Sequence, residues 1–278
     1  MSGQPREVEG VLLVRADDQE AAGRRVAGLE AVDRFLLRPR QPQRIRDVYV
    51  DTVDGALAAA PVAFRVRELD GRPLLTLKAD PVRAGLAAER LELEAPWSAA
   101  ALGAVLEELR RRGVQLPDPP PEGSGEPQGG APVHREGSGV GEPLADLAAL
   151  GLRPTQTRET IRTPRDVLER GDPGAGPVAE LTVDDVAYQL PAGTARLLEV
   201  EVEAKGRGGL DTVQALLGAL AEALPEDLRP WPYGKLATGQ AVERLLVAGE
   251  LEGLLDPSGR IRPAAHDRLA ESLARASP

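Results

Sequence analysis

The stretch Leu198-Glu199-Val200-Glu201-Val202-Glu203-Ala204-Lys205 decides the reading of this chain. In a strand, alternate residues point to the same face. Glu199, Glu201, Glu203 and Lys205 therefore share one face, and Leu198, Val200 and Val202 point away from it. Glutamate is a poor strand residue. Its return at every second position asks for a reason beyond propensity.

The same arrangement recurs along the chain. Glu7 and Glu9 flank Val8, and Arg65 and Arg67 alternate with Phe64 and Val66. Thr76 and Lys78 oppose Leu75 and Leu77, and Arg90, Glu92 and Glu94 oppose Leu91 and Leu93. Glu180, Thr182 and Asp184 oppose Leu181 and Val183. A half-buried antiparallel sheet with a solvated polar face shows such alternation too. Yet carboxylates on neighbouring strands lie about 5 Å apart and, at an effective dielectric of ~20, repel by roughly 3 kcal/mol per pair. Acids held together in this way suggest a divalent cation, which takes oxygen ligands. The interspersed Arg and Lys suit a polyanion such as a phosphate chain. A sheet that is apolar outside and charged inside can close into a barrel with helices packed around it. The expected fold is thus α+β, a closed antiparallel β-barrel enclosing a tunnel of mixed charge.

Composition narrows the field. The chain has 278 residues, long enough for one large domain or two small ones. Aromatics are 3%, so the core is expected to be aliphatic. The absence of cysteine removes disulfides, thiolate metal sites and thiol nucleophiles. A net charge of -10 argues against nucleic acid as a partner. No apolar run approaches the roughly 20 residues that span a bilayer. MSGQPREVEG lacks a signal-peptide pattern, so a cytoplasmic location and no membrane partner are expected. His134 and His266 stand in polar, Gly/Pro/Ala-rich surroundings and are not expected to act in catalysis or zinc binding.

Residues 116–143 are Pro/Gly/Ser-rich and nearly devoid of apolar side chains, so a flexible linker is expected there. It separates halves of similar layout. Leu/Ala/Val spacings predict helices near Asp18–Val32, Ser98–Arg112 and Leu210–Leu224. Ser98 is the expected N-cap and Gly113 the expected residue just past the helix end. Residues 240–278 read as a tail of two short amphipathic helices broken at Asp256-Pro257-Ser258-Gly259. Its Leu245, Leu246, Leu251, Leu254 and Leu255 would pack on the barrel or mediate self-association, leaving monomer and homodimer both open.

Taken in order, these motifs resemble the CYTH superfamily, the triphosphate tunnel metalloenzymes. Glu7-Val8-Glu9 resembles the family's E-x-E-x-K signature, and Asp47-Val48-Tyr49-Val50-Asp51-Thr52 its D-x-Y-x-D-T strand. Phe64-Arg65-Val66-Arg67, Thr76-Leu77-Lys78 and Arg90-Leu91-Glu92-Leu93-Glu94 resemble its R-x-R, T-x-K and R-x-E-x-E strands. Arg158, the Glu180–Asp184 strand, Glu199–Glu203 and Tyr233-Gly234-Lys235 follow in the family's order. The resemblance covers Arg6 to Gly239 and implies a tunnel domain over residues 1–239.

What the resemblance implies is an eight-stranded antiparallel tunnel acting on triphosphates or polyphosphates with Mg²⁺ or Mn²⁺. Glu7, Glu9, Glu92, Glu199 and Glu201 match the metal-binding carboxylates, with Asp184 added to them. Arg65, Arg67, Lys78, Arg158 and Lys235 match the phosphate clamps. Glu92, Lys78 and Arg67 would carry the catalytic roles. Glu94 and Glu203 share the lining, as metal contacts or structural counter-charges. Val11 stands where the signature lysine is expected, which removes a cation. A metal-dependent triphosphatase is the leading expectation. The alternatives are a non-catalytic polyphosphate- or nucleotide-binding module and a class IV-like adenylate cyclase. The histidine-rich helical domain found beside many such domains is not expected, since the tail holds only His266.

Overall fold

The computed structural model describes residues 5–116 and 140–276. In chain order these form β1 (Arg6–Val14), α1 (Gln19–Gly28), β2 (Ala31–Val32), β3 (Phe35–Pro39), β4 (Gln43–Thr52) and α2 (Ala56–Ala59). Next come β5 (Val62–Leu69), β6 (Arg72–Ala84), β7 (Ala87–Pro96), α3 (Ala99–Arg111) and α4 (Gly141–Ala149). The chain continues with β8 (Leu152–Glu169), β9 (Ala179–Leu190), β10 (Gly193–Ala204), α5 (Leu210–Ala223), β11 (Leu228–Pro230), α6 (Lys235–Val247) and α7 (His266–Ala276).

Hydrogen-bonded neighbours follow the order β8-β4-β5-β6-β7-β1-β10-β9, and β9 pairs again with β8. These eight strands make the expected closed antiparallel β-barrel with helices outside. Of the expected linker, residues 117–139 lie outside the described residues, as does His134. Gly141, Glu142 and Pro143 instead open α4. Among the described residues, no helix is long and apolar enough to cross a membrane.

The chain divides into two compact units. The first comprises Met1–Ile45, Pro81–Leu91 and Gln156–Pro278, and the second Arg46–Asp80 and Glu92–Thr155.

In the first unit, β1 pairs with β10, β10 with β9 and β9 with β8. The register sets Glu9 opposite Glu203, Val11 opposite Glu201, and Glu199 opposite Asp184. Arg162 of β8 stands opposite Asp184 in turn. Leu12, Val14, Leu181, Val183, Leu198, Val200 and Val202 form the other face. They pack with Ala22 and Val26 of α1 and with Val213, Leu216, Leu217 and Leu220 of α5. The α5 residues recur at spacings of three and four, which gives one apolar stripe. Burial of each such leucine or valine contributes roughly 1.5–3 kcal/mol. Asp18 caps α1 by accepting from the backbone N–H of Ala21 at 2.9 Å.

Gly10 is required by close approach. A Cβ there would meet a Leu217 methyl and stand 2.6 Å from the carbonyl oxygen of Leu86. The β6–β7 hairpin and α5 can both press against β1 only because nothing projects from position 10.

The charged face of the first unit turns apolar along the strands. Val11, Leu13, Val186, Tyr188, Ala195 and Leu197 continue the same side as the acids. They pack with Trp231, with Ala241, Val242 and Leu245 of α6, and with Leu269 and Leu273 of α7. Within the second unit, β5 pairs with β6, with Arg65 opposite Thr76 and Ala63 opposite Lys78. Ser98 caps α3 as its position predicts, accepting from the N–H of Ala101 at 3.1 Å.

Candidate functional site

The first unit gathers its ionisable groups by strand parity. Glu7 and Glu9 project from β1, Glu199, Glu201 and Glu203 from β10, Glu180 and Asp184 from β9, and Arg158 and Arg162 from β8. Lys235 opens α6. Its Nζ contacts Glu201 and lies 3.3 Å from Asp184 and 3.4 Å from Glu199. Arg162 clasps Asp184 with a two-pronged bond, Nε to Oδ1 at 2.9 Å and Nη2 to Oδ2 at 2.7 Å. The same guanidinium is 3.7 Å from Glu201 and 3.9 Å from Glu180. Arg158 is buried and its charge acts on Glu199.

Asp184 is fully buried. Burial raises its pKa, but Arg162 and Lys235 outweigh that and hold it below the usual carboxylate range. Lys235 is held above the usual ammonium value by Glu201, Asp184 and Glu199, against its own burial. Glu199 behaves oppositely. Burial pushes its carboxyl up, the negative charges of Glu201 and Asp184 add to this, and Lys235 and Arg158 offset only part. Although Glu199 is 1% exposed, neither of its oxygens makes a hydrogen bond among the described residues.

A second cluster lies along β1 and the start of β7. Arg90 contacts Glu9 and is 3.2 Å from Glu7. Glu7 and Glu203 each bring a carboxylate oxygen within 4.8 Å of the other. The Glu203 carboxyl is pushed up by burial and by Glu7, with Lys205 opposing. On this face the acids outnumber Arg90, Arg158, Arg162 and Lys235.

This chemistry fits a hard divalent cation. A buried carboxylate with both oxygens unbonded calls for a proton or an ion, and a surplus of oxygen donors suits Mg²⁺ or Mn²⁺ better than softer metals.

The second unit holds its own charged set. Arg67 donates Nε to Asp47 at 2.8 Å and lies 3.8 Å from Glu94. Arg65 lies 3.4 Å from Asp47 and donates to the Tyr49 hydroxyl at 3.1 Å. Asp47, Tyr49 and Glu94 together hold the buried Arg65 above the ordinary guanidinium value, against desolvation. Lys78 is 3.2 Å from Glu92, and Thr76 donates to Glu94 at 2.9 Å. Asp51 has a structural part, since it accepts from the N–H groups of Thr52, Leu57 and Ala58 and ties β4 to α2.

The sequence-derived residues thus fall into two groups. Glu7, Glu9, Arg158, Asp184, Glu199, Glu201 and Lys235 belong to the first unit; Arg65, Arg67, Lys78 and Glu92 belong to the second. Sequence reasoning missed Arg162. Its parity with Arg158, four residues earlier in Arg158-Glu159-Thr160-Ile161-Arg162, was the available signal. Arg90 and Glu180 enter the sequence reading as members of charged strand faces and of family-like motifs, without a site role of their own. His266, expected in polar surroundings, is 1% exposed, and burial together with Arg229 lowers its imidazole to about 4.

Comparison with known proteins supplies an independent result. The sequence model of the CYTH domain matches residues 25–224. The structure resembles that of HpAC1 from Hippeastrum, an adenylyl cyclase candidate described as having a dominant triphosphatase activity. The TM-score is 0.51 and the identity 15%, over 85% of this chain and 96% of that one. A Bacillus halodurans adenylate cyclase candidate aligns at 19% identity and TM-score 0.44, over 83% and 95% of the two chains. The triphosphatase of the mimivirus capping enzyme aligns at 9% identity and TM-score 0.40, over 81% and 91%. No curated protein matches the chain.

Proposed function

The chain belongs to the CYTH domain family, and from that premise we propose that it is a metal-dependent triphosphatase acting on inorganic triphosphate or a triphosphate-bearing small molecule. The observation that carries this reading is Glu199, a buried carboxylate without a hydrogen bond beside Lys235, Asp184 and Glu201.

Glu7, Glu9, Asp184, Glu199 and Glu201 of the first unit would hold Mg²⁺ or Mn²⁺. When bound, such an ion neutralises phosphoryl oxygens and fixes their orientation. The other steps belong to the chain's own groups. Lys235 and Arg158 hold phosphoryl oxygens, and Lys235 exchanges Glu201 for substrate as it does so. Arg65, Arg67 and Lys78 are the matching cations of the second unit. Glu92, 3.2 Å from Lys78, orients water for in-line attack on the terminal phosphorus, with Arg67 and Lys78 meeting the developing charge. This catalysis is positioning and charge neutralisation. It needs no nucleophilic side chain, consistent with a chain that has no cysteine.

Phosphate release from a panel of triphosphates with Mg²⁺ or Mn²⁺ tests the proposal. Release abolished by Glu201→Gln supports it. Tight triphosphate binding without release, unrescued by Val11→Lys, overturns it. That outcome would favour a binding module, the reading that Val11 opposite Glu201 motivates. Formation of cyclic AMP from ATP would instead favour a cyclase.

A further inference from the structure

In the first unit, the residues after β1, the approach to β11 and the start of α7 enclose a cleft of about 550 Å³. Arg15, Arg229 and His266 line it together with Asp227 and Asp267, and Asp17 and Glu226 stand exposed beside them. The Arg15 N–H donates to the Asp227 carbonyl at 2.7 Å, and Arg229 stands opposite Leu13 of β1, so strand pairing fixes where both arginines start. Two of the acids are already matched. Asp227 accepts from Arg25 Nε at 3.0 Å, and Asp267 accepts from Arg229 Nη1 at 2.8 Å. That bond, and the Trp231 ring 5.7 Å from the guanidinium, hold Arg229 in place. Among the described residues, Arg15 makes no ion pair. His266 is the unusual member. It is 1% exposed, and among the described residues neither ring nitrogen makes a hydrogen bond. The Ile261 carbonyl, which favours a proton on the ring, is out of hydrogen-bond geometry and already accepts from Gln19 Nε2 at 2.8 Å. An imidazole carries an N–H in either charge state, and a buried donor without an acceptor is rare in a native protein.

We propose that this cleft is a second anion site, which takes a phosphate group, free or as a monoester, between Arg15, Arg229 and the His266 N–H. The donors come from three separate elements, and a tetrahedral oxyanion presents oxygens in three directions. A planar carboxylate is satisfied by one guanidinium fork and leaves the imidazole unbonded. A divalent cation fits worse. Two guanidiniums repel it, and among the described residues His266 and its acids do not bring their ligand atoms together as a metal site would. The cleft lies within the ~300–1,000 Å³ range of ligand pockets, so it has room for the rest of a small ester. None of its residues belongs to the acidic cluster, and the inference does not rest on the triphosphatase reading. If that reading holds, phosphate released at the acidic cluster is one available occupant. The electrostatics supply a reporter. Burial, then Arg229 and Arg15, lower the His266 imidazole to about 4, with the Ile261 carbonyl and Asp267 opposing. An anion seated between the ring and the arginines favours the charged ring and reverses part of that shift.

His134→Gln leaves His266 as the sole histidine of the full chain, so its ring C2–H signal in NMR spectra reads this cleft and not the acidic cluster. At pH 6.5 in chelator, inorganic phosphate should move that signal saturably, while chloride at equal ionic strength, which only screens the arginines, should not. Sulfate should raise the midpoint of the ring from about 4 to about 5 or higher, the linkage of ~10-fold tighter binding to the charged ring. Glycerol 3-phosphate that displaces the signal at lower concentration than phosphate assigns an ester as occupant, and the reverse order assigns free phosphate. Arg15 is exposed, so Arg15→Gln tests the site without disturbing the core, and it should weaken phosphate binding at least ~10-fold. Arg229→Gln should do the same. A signal that phosphate leaves in place, that chloride or acetate moves equally, or that responds unchanged in both arginine variants would overturn the proposal.

Discussion

Lys235 Nζ lies 3.4 Å from the Glu199 carboxylate, yet among the described residues Glu199 receives no hydrogen bond from it or from any other group. The ammonium is drawn instead to Glu201, on the same strand two residues away. One cation is therefore shared unequally among three buried acids, and Glu199 is the one left short.

The first prediction follows from that shortage. The folded-state pKa of Glu199 is raised above its ordinary 4.5 by burial and by the neighbouring acids. As pH rises from 4.5 through the raised value, the folded chain keeps a proton that the unfolded chain has lost. Stability contributed by this group therefore falls across that window. Asp184 works in the opposite sense, and its contribution is lost as pH drops below 3.8 through its depressed folded value. Glu199→Gln should raise the thermal midpoint at pH 8 in chelator, by the equivalent of about 1–2 kcal/mol. It should also diminish the stabilisation by Mg²⁺, which for an intact site at 100 times Kd is ~2.7 kcal/mol. Thermal scans against pH, with and without Mg²⁺, decide the matter, and an unchanged Mg²⁺ response would remove Glu199 from the metal set.

Lys235→Met should cost roughly 3–5 kcal/mol, because it leaves buried carboxylates without their shared cation. Val11→Lys, placed opposite Glu201, should return part of that loss. A double-mutant cycle in denaturant would show coupling of at least ~0.5 kcal/mol. Strict additivity would mean that position 11 does not reach the cluster.

Arg162→Lys keeps the charge and loses the fork that grips both Asp184 oxygens. Activity should fall at least 10-fold, with a smaller change in stability. Arg162→Ala should be worse on both counts, since it leaves Asp184 with Lys235 alone. Steady-state kinetics and unfolding midpoints of the pair test this, and equal behaviour of the two variants would argue that charge alone matters.

Gly10→Ala should destabilise by about 1–3 kcal/mol through overpacking. Trimming Leu217 to alanine in the same chain should not restore stability, because the backbone oxygen of Leu86 remains 2.6 Å from the new Cβ. Recovery in the double variant would place the whole conflict on the leucine side chain.

The parity of single strands was legible in the sequence because the pleat fixes it within a few residues. Glu199, Glu201 and Glu203 declared their shared face without any tertiary information, and so did Arg65 and Arg67. The two-faced strands allowed a closed barrel, and order along the chain, through the family resemblance, supplied its eight strands. Registration between strands was not legible. That Arg162 stands opposite Asp184 depends on how β8 slides against β9, and β8 hides its own faces: Ile161 is 47% exposed while Arg162 is buried. The burial of His266 was not legible for a related reason. Its neighbours in sequence are polar, but its burial is decided by packing from distant elements, which local composition does not encode.

The packing of α6 and α7 against the apolar half of the first unit's inner face has a mechanical corollary. On the function proposed above, a phosphate chain reaching that half would meet Leu245, Leu269 and Trp231 in place of further cations, so the apolar plug would set the depth to which a triphosphate enters.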